Sequence, residues 1–401
     1  MASTAPAATT RRLFHPSQQP PFAEFVALIA MMFATTALSI DAMLPALPDI
    51  AADLQLSSVN HAQFVVTGFM AGLGIGQLFT GPLSDSLGRR QVIMWGILLF
   101  VIGGALAFAA PSLTVLLLAR FLQGLGISAP RIVGIAMVRD LYQGRMMARV
   151  MSIVMTIFIL VPAAAPFFGQ LIIVAAGWRA IFGALSIFGI VGILWLALRQ
   201  PETHPPERRR PFRLATILSA MREILGNRAI VIYILCISLG FGAMFSFISS
   251  AQQVYADTFG KAASFPAWFA GHALIAGTAG PINATLVMRL GMRRLATFGF
   301  VMQAVLTILV LTLWQSGVLG ERAEFPVFFV WASSIFFMNG LIFGNLNALA
   351  LEKVGHIAGL AASIVGAVST LLAVLIATPV GQAFDGTPVP LMLGCASFAV
   401  I

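Results

Sequence analysis

Apolar runs of membrane-crossing length alternate with short polar breaks along the whole chain. A helix needs about 20 apolar residues to cross the hydrocarbon core of a bilayer. Runs of that kind fall near 22–44, 58–80, 90–110, 113–138, 147–175, 178–198, 229–255, 265–288, 295–315, 325–350, 357–383 and 387–401, which predicts twelve spans. The twelfth is expected to be short or truncated. Glycine and proline inside the runs do not argue against helices, because neighbouring helices in a membrane repair the lost backbone bonds. Residues 1–21, rich in Ala, Thr, Pro and Gln, have no short apolar core before a cleavage site and read as a disordered cytoplasmic tail.

The polar breaks are charged asymmetrically. With the N-terminus inside, the tail and the even-to-odd loops hold 18 of the 23 Lys and Arg residues, among them Arg11, Arg12, Arg89, Arg90, Arg139, Arg199, Arg289, Arg293 and Arg294. The opposite loops hold three, Arg179, Lys261 and Arg322, and the other two, Arg120 and Arg131, lie within span 4. This bias predicts both termini in the cytoplasm. Composition agrees with the pattern: 59% of residues are hydrophobic and 9% charged, against about 25% charged in a soluble domain. The formal charge of +9 is thereby explained without a nucleic-acid partner. Cys236 and Cys395 sit in apolar runs and form no disulfide or metal framework.

The expected fold is an all-α polytopic membrane protein. It divides into a tail (1–21), a six-helix bundle (22–198), a linker (199–228) and a second six-helix bundle (229–401). The linker opens with "RQPETHPPERRRPFR" and continues as "LATILSAMREILGNR", where Leu214, Ile217, Leu218, Met221 and Leu225 recur at helical spacing. That segment predicts a short amphipathic helix on the cytoplasmic membrane surface. The halves repeat each other: "DSLGRR" (85–90) and "RLGMRR" (289–294) each follow the second span of a half, and "PFFGQ" (166–170) and "PVGQ" (379–382) each end the fifth. Six plus six helices from parallel repeats is a transporter architecture, with the site between the halves near the midplane.

Few residues in the spans carry chemistry. Asp41 stands at the end of the uncharged run Phe25–Ile40, with Pro45 and Pro48 expected to end the helix and turn the chain outside, where Asp49 and Asp53 are solvated. Span 4 holds Arg120 and Arg131, eleven residues apart, which places both on one face about 16 Å apart along the axis. An intramembrane arginine normally faces a polar cavity or a partner. Pro162 and Pro166 remove backbone donors in span 5 and bend it. Gly68, Gly72 and Gly76 form a small-residue ridge expected to pack against a helix of the other half. In the second half the polar groups within spans are amides, Asn283, Gln303, Asn339, Asn345 and Asn347, among aromatics such as Phe241, Phe245, Phe247, Phe336 and Phe337. Together these suit a largely apolar cavity with a few hydrogen-bonding points. In "GPLSDSLGRR", Gly81 and Gly88 permit tight backbone geometry between helices, and Asp85 can pair with Arg89 or Arg90 as a latch. Enzymatic signatures are absent: the five histidines (15, 61, 204, 272, 356) have no metal-ligand spacing, "GLGIGQ" lies inside a span, and no Walker Lys-Ser/Thr exists.

The latch stretch closely resembles the signature G-x-L-x-D-x-x-G-R-R of the major facilitator superfamily, at Gly81, Leu83, Asp85, Gly88, Arg89 and Arg90; Ser86 departs, since a basic residue is frequent there. The resemblance implies a conformational gate. "RFLQGLG" is similar to a signature of the drug:proton antiporters at Arg120, Gln123 and Gly124, and implies a role for Arg120 in proton coupling. Span 5 resembles the antiporter signature G-P-x-x-G-G at Pro166 and Gly169, with Ala165 and Gln170 in place of glycines. With "DAMLP", the chain resembles the bicyclomycin/chloramphenicol-resistance (Bcr/CflA) branch. The reading that follows is a monomeric exporter of drugs or other amphipathic small molecules in the bacterial cytoplasmic membrane. Protons are its coupling ion, it has no other cofactor or metal, and the lipid bilayer and a small-molecule substrate are its partners. Asp41 and Arg120 are expected to pair in proton coupling. Gln123, Gly124, Arg131, Phe245, Asn283 and Asn339 are expected to line the substrate cavity. An importer or uniporter of metabolites, with no titratable group needed in span 1, is the alternative.

Overall fold

The computed structural model describes residue 16 and residues 18–400. Most of the expected tail, with Arg11 and Arg12, therefore lies outside the described residues, as does Ile401. The helices in chain order are α1 (Phe22–Asp41), a short α2 (Leu47–Asp53), α3 (Phe64–Leu87), α4 (Arg89–Phe108), α5 (Leu113–Leu141), α6 (Gly144–Ala176) and α7 (Arg179–Arg199). After the linker helix α8 (Leu214–Gly226) come α9 (Arg228–Gln253), α10 (Phe265–Leu290), α11 (Met292–Gln315), α12 (Glu321–Leu351), α13 (Ala358–Gln382) and α14 (Val389–Val400). Ten stretches are long and apolar enough to cross a membrane, and the longest, Glu321–Gln382, contains both α12 and α13, parted by a bend at Val354. With the 12-residue apolar α14, the twelve predicted spans are present.

Within the first half α5 is the hub, packed on α3 and α4, while α1 lies on α6, α5 and α7. In the second half α9 packs on α13 and α12, and α12 also packs on α10 and α11. The halves meet along α3 with α13 and along α6 with α10. Lipid tails offer no hydrophobic drive for helix association, so close backbone approach and hydrogen bonds must hold such a bundle. The α3 glycines serve that purpose inside their own half. A methyl group on Gly68 would lie 3.3 Å from the Leu117 carbonyl, one on Gly76 2.7 Å from that of Leu125, and one on Gly72 would overlap that of Phe121. This corrects the expectation that Gly68, Gly72 and Gly76 pack on the other half. Gly74 and Gly81, beside Leu371 and Ser363 of α13, occupy that role.

The predicted "loop" after span 2 is a second correction. Gly81, Leu83 and Asp85 are all within α3, which runs to Leu87, and α4 begins at Arg89. The whole junction is Gly88, held at φ 107°, ψ 150°, a conformation open to glycine and strained for other residues. The repeat in the second half does the same with Gly291 (φ 80°, ψ 157°) between α10 and α11. Helix α8 buries Ile217, Ala220 and Ile224 against protein and leaves Leu214, Leu218 and Leu225 exposed. Its apolar surface is therefore wider than one stripe, as a helix needs that touches the bundle on one side and lipid on another.

Candidate functional site

The feature that organises the first half is the break in α1. Proline has no N–H, and its ring clashes with the carbonyl four residues earlier; for Pro45 that residue is Asp41, where α1 stops. A 3-10 turn, Leu44–Ala46, follows, and Pro48 enters the first turn of α2, where its missing donor costs nothing. The chain thus continues helically to Asp53 rather than turning out at the prolines. Asp53 is not simply solvated either: it is ion-paired to Arg179 and accepts a bond from Trp178 Nε1 at 3.3 Å. Asp49 is exposed, as expected.

A broken helix leaves carbonyls without partners. Arg120 supplies donors here. Its Nη2 donates to the Ser39 carbonyl of α1 at 2.8 Å, its Nε to the Val65 carbonyl at 3.2 Å, and its Nη1 to Gln123 Oε1 at 2.9 Å. Phe69 lies under the guanidinium, 4.3 Å from its centre. The side chain is fully buried, and its cation stands at the C-terminal end of α1, the end that favours positive charge. Asp41, 5% exposed, is two residues beyond Ser39, yet it makes no hydrogen bond or ion pair among the described residues. The expected Asp41–Arg120 pair is therefore absent: the freed Ser39 carbonyl, the Val65 carbonyl and Gln123 Oε1 occupy the guanidinium. On the opposite side of the break, Gly169 of α6 lets the Ala42 carbonyl approach so closely that any Cβ there would overlap it. Pro162 and Pro166 are accommodated within the continuous α6, with Pro166 buried beside this contact.

The residues expected to line the cavity are distributed differently. Gln123 is fully buried beside Arg120, and a methyl on Gly124 would overlap the Phe69 carbonyl. Gln123 faces Gly103 and Gly104 of α4, and Gly124 faces Phe69 of α3, so both are taken up in helix contacts within the first half. Arg131 is half-buried, 6.0 Å above the Phe158 ring of α6, with no hydrogen bond or ion pair among the described residues. Its one-face relation to Arg120 thus gives no shared set of partners: Arg120 bonds α1 and α3, and Arg131 faces Phe158 of α6. Phe245 is buried and stacks on Phe241 at 5.5 Å. Asn339 donates to the Gly240 and Ile335 carbonyls, both at 3.0 Å, tying α12 to α9. Asn283 accepts from Asn345 at 2.7 Å, tying α10 to α12. These amides have structural partners within their half.

At the end carrying the arginine-rich junctions, the latch is formed. Arg89 Nη1 meets Asp85 Oδ1 at 2.5 Å and Ser84 Oγ at 2.6 Å, and its Nε meets Asp140 Oδ2 at 3.1 Å. Arg90 Nη2 donates to the Ala197 carbonyl at 2.6 Å. Glu202 of the linker caps α4: its carboxylate accepts from the backbone N–H of Arg89 (2.8 Å) and of Arg90 (3.1 Å). An acid suits that helix terminus. Asp140 and Glu202 were not legible as latch members, although an acid placed just past a basic helix end is the kind of signal that could have pointed to them.

Two further groups emerge only from the folded chain. At the opposite end, Asn60, Gln63, Gln253 and Gln382 bond across the two halves. In the second half, His272 of α10 is fully buried, with Nε2 2.7 Å from Tyr255 Oη and Nδ1 2.8 Å from Ser333 Oγ. Phe329 stacks on its ring at 4.6 Å. A titratable residue inside an apolar span was the available signal. Among the described residues no group of three His, Cys, Asp or Glu side chains could hold a metal ion.

Two parallel six-helix halves, each with a glycine-jointed arginine turn, latched at one end and hydrogen-bonded together at the other, define a membrane transporter of the two-bundle type. The family model of the Major Facilitator Superfamily matches residues 27–378. An uncharacterized MFS-type transporter, YdgK of Bacillus subtilis, is 32% identical over 369 residues, 88% of this chain and 87% of its own. A bicyclomycin resistance protein homolog of Haemophilus influenzae is 27% identical over 387 residues, 96% of each chain. Among solved structures, the xylose transporter XylE of E. coli superposes with a TM-score of 0.72 at 14% identity, over 94% of this chain and 97% of that one. The chain belongs to the Major Facilitator Superfamily, a family of transporters, and is a multi-pass membrane protein. The bicyclomycin-resistance name of a full-length relative agrees with the branch that "DAMLP" and "RFLQG" resemble.

Proposed function

We propose that this chain exports drugs or other amphipathic small molecules in exchange for protons, by alternating access. In this reading it works as a monomer in the bacterial cytoplasmic membrane, with its arginine-rich end in the cytoplasm. Charge placement supports the orientation: the basic junctions gather at one end of the bundle. The name of the Haemophilus relative supports the substrate class. Protons are the coupling ion, and no other cofactor and no nucleic acid takes part.

The observation that carries the proton reading is Asp41, buried at the α1 break without a partner. An unpaired carboxylate out of water is costly to keep charged, and binding a proton removes that cost. Arg120 acts beside it as the group that pins the break, through the Ser39 carbonyl. Each proton taken up or released by Asp41 changes the charge at a helix end that Arg120 holds, and the turn Leu44–Ala46 beyond it packs against α9 of the other half. The break therefore connects a titrating group to the contact between halves, which is what coupling requires.

Asp41→Asn keeps size and shape but cannot titrate. We expect it to abolish pH-gradient-driven export in inside-out vesicles while leaving insertion and thermal stability unchanged. Export that follows an imposed pH gradient as steeply in the variant as in the parent would overturn the reading.

A further inference from the structure

Among the described residues, the side-chain hydrogen bonds that join the two halves are gathered at the end away from the arginine-rich junctions, and every one is made by an amide. Asn60 Nδ2 donates to the Gln382 and Phe384 carbonyls at 3.0 and 2.9 Å, and Gln382 Nε2 returns a bond to the Asn60 carbonyl at 2.7 Å. Gln63 Nε2 donates to Gln253 Oε1 at 2.5 Å, and Gln253 Nε2 donates to Asn60 Oδ1 at 2.9 Å. Donors and acceptors of both signs are used on both sides.

The local structure presents these groups together. Asn60 and Gln63 lie on a 3-10 turn, Val59–Gln63, whose three-residue period stacks positions three apart on one side. Ser58 caps the turn, its Oγ accepting from the Asn60 N–H at 3.2 Å. Across the gap, Gln253 is the last residue of α9, just before a π turn, Val254–Thr258, and Gln382 is the last residue of α13. Gly381 completes the fit: a Cβ there would overlap the Gln63 amide oxygen. Gln63 and Gln253 are each 2% exposed, so the contact is sealed rather than a surface fringe.

We propose that Asn60, Gln63, Gln253 and Gln382 form an uncharged clasp that holds this end shut, and that its parting is the step that opens the substrate path to that side. Neutral amides suit a contact that must break in every cycle. When the halves separate, water replaces each bond at small net cost, whereas separated buried charges would carry a large desolvation term. The ionic latch on Arg89 lies wholly within the first half and its linker, so it shapes one bundle, and the clasp joins two. This inference requires only that the chain be a transporter, not that Asp41 carry a proton.

The test reads accessibility. With Cys236 and Cys395 replaced by alanine, Ser249→Cys places a reporter one turn of α9 inside Gln253, where the native side chain is buried. A membrane-impermeant maleimide is applied to intact cells and, separately, to inside-out vesicles. Asn60→Ala/Gln253→Ala should speed labelling from the clasp side by about thirtyfold, as loss of four hydrogen bonds at the low end of their net worth implies, and should leave labelling from the arginine-rich side equal or slower. Gly381→Ala, which displaces the Gln63 amide without deleting a polar group, should act in the same direction by about threefold. Unchanged labelling in both variants, or equal increases from both sides, would overturn the proposal. Because no substrate is needed, the outcome stands apart from that of the Asp41 experiment.

Discussion

The two halves depart from regular α-helix at the same end of their first span, and the chemistry beside the departure is opposite. In the first half, α1 stops at Asp41 and a buried cation on α5, Arg120, takes up the freed Ser39 carbonyl. In the second, α9 ends in a π turn at Val254, and the stabilising group beside it is neutral: Tyr255 Oη to His272 to Ser333 Oγ, with Ser333 donating onward to the Phe329 carbonyl at 2.7 Å. The junction glycines follow the same division. Gly88 is surrounded by Asp85, Arg89, Asp140 and Glu202, whereas Gly291 has Arg289, Arg293 and Arg294 without a carboxylate bonded to them among the described residues. A repeated backbone therefore carries charge chemistry in one copy and neutral hydrogen bonding in the other.

The comparison is broken most severely at Arg120. Arg120→Ala leaves the Ser39 carbonyl and Gln123 Oε1 without a donor in a dry core and takes a second donor from the Val65 carbonyl, which predicts a loss of about 3–5 kcal/mol. Arg120→Lys, with a single point charge in place of a planar fork, should recover only part of it. Thermal unfolding of the purified protein in detergent measures both. The neutral counterpart, His272→Ala, forfeits two hydrogen bonds and the stack on Phe329 and should cost less, about 2–3 kcal/mol. The pH profile of transport separates the halves further. It should keep its midpoint in a His272→Gln variant that remains folded, and a midpoint moved by His272→Gln would place titrating chemistry in the second half as well.

The twelve spans were legible because a bilayer demands long apolar runs, and the periodicity of α8 was legible for the same reason of contrast with water. The D-x-x-L-P stretch marked the α1 break correctly in position, since Pro45 acts on the carbonyl of Asp41 through local covalent geometry. What Arg120 bonds was not legible. Apart from Gln123, three residues on in the same helix, its partners are backbone carbonyls of Ser39 and Val65, 81 and 55 residues away, and every residue type has a carbonyl, so sequence holds no mark of them. The clasp escaped notice for a related reason: Asn60 and Gln382 are ordinary loop-edge amides until the fold brings them together. The glycines of α3 were seen as a contact surface, but helical spacing cannot say which neighbour fills it.

That surface gives the next test. Gly124→Ala places a methyl against the Phe69 carbonyl at the tightest part of the α3–α5 crossing; forcing the helices apart should cost about 1–3 kcal/mol. Gly74→Ala, facing the movable Leu371 side chain of α13 at 2.9 Å, should cost less in stability and act instead on the contact between halves. A melting temperature lowered more by Gly74→Ala than by Gly124→Ala would show that the rigid seam lies between the halves rather than within the first.

The smallest effect on stability belongs to Arg131, and it sharpens the comparison most. Arg120 and Arg131 are the same residue on the same helix, eleven positions apart, yet one donates to two backbone carbonyls and to Gln123 while the other, 6.0 Å from the Phe158 ring, has no hydrogen bond or ion pair among the described residues. An intramembrane cation without such partners is retained for what it contacts during function rather than for the fold. Arg131→Ala should therefore shift stability by no more than about 1 kcal/mol, while changing which compounds are exported and leaving the response to a pH gradient in place. A panel of neutral, anionic and cationic compounds, assayed for export in vesicles, reads this directly: the anionic members should lose most. An unaltered profile would make Arg131 a second structural cation, and the charge of the first half would then reduce to Asp41 as its one functional group.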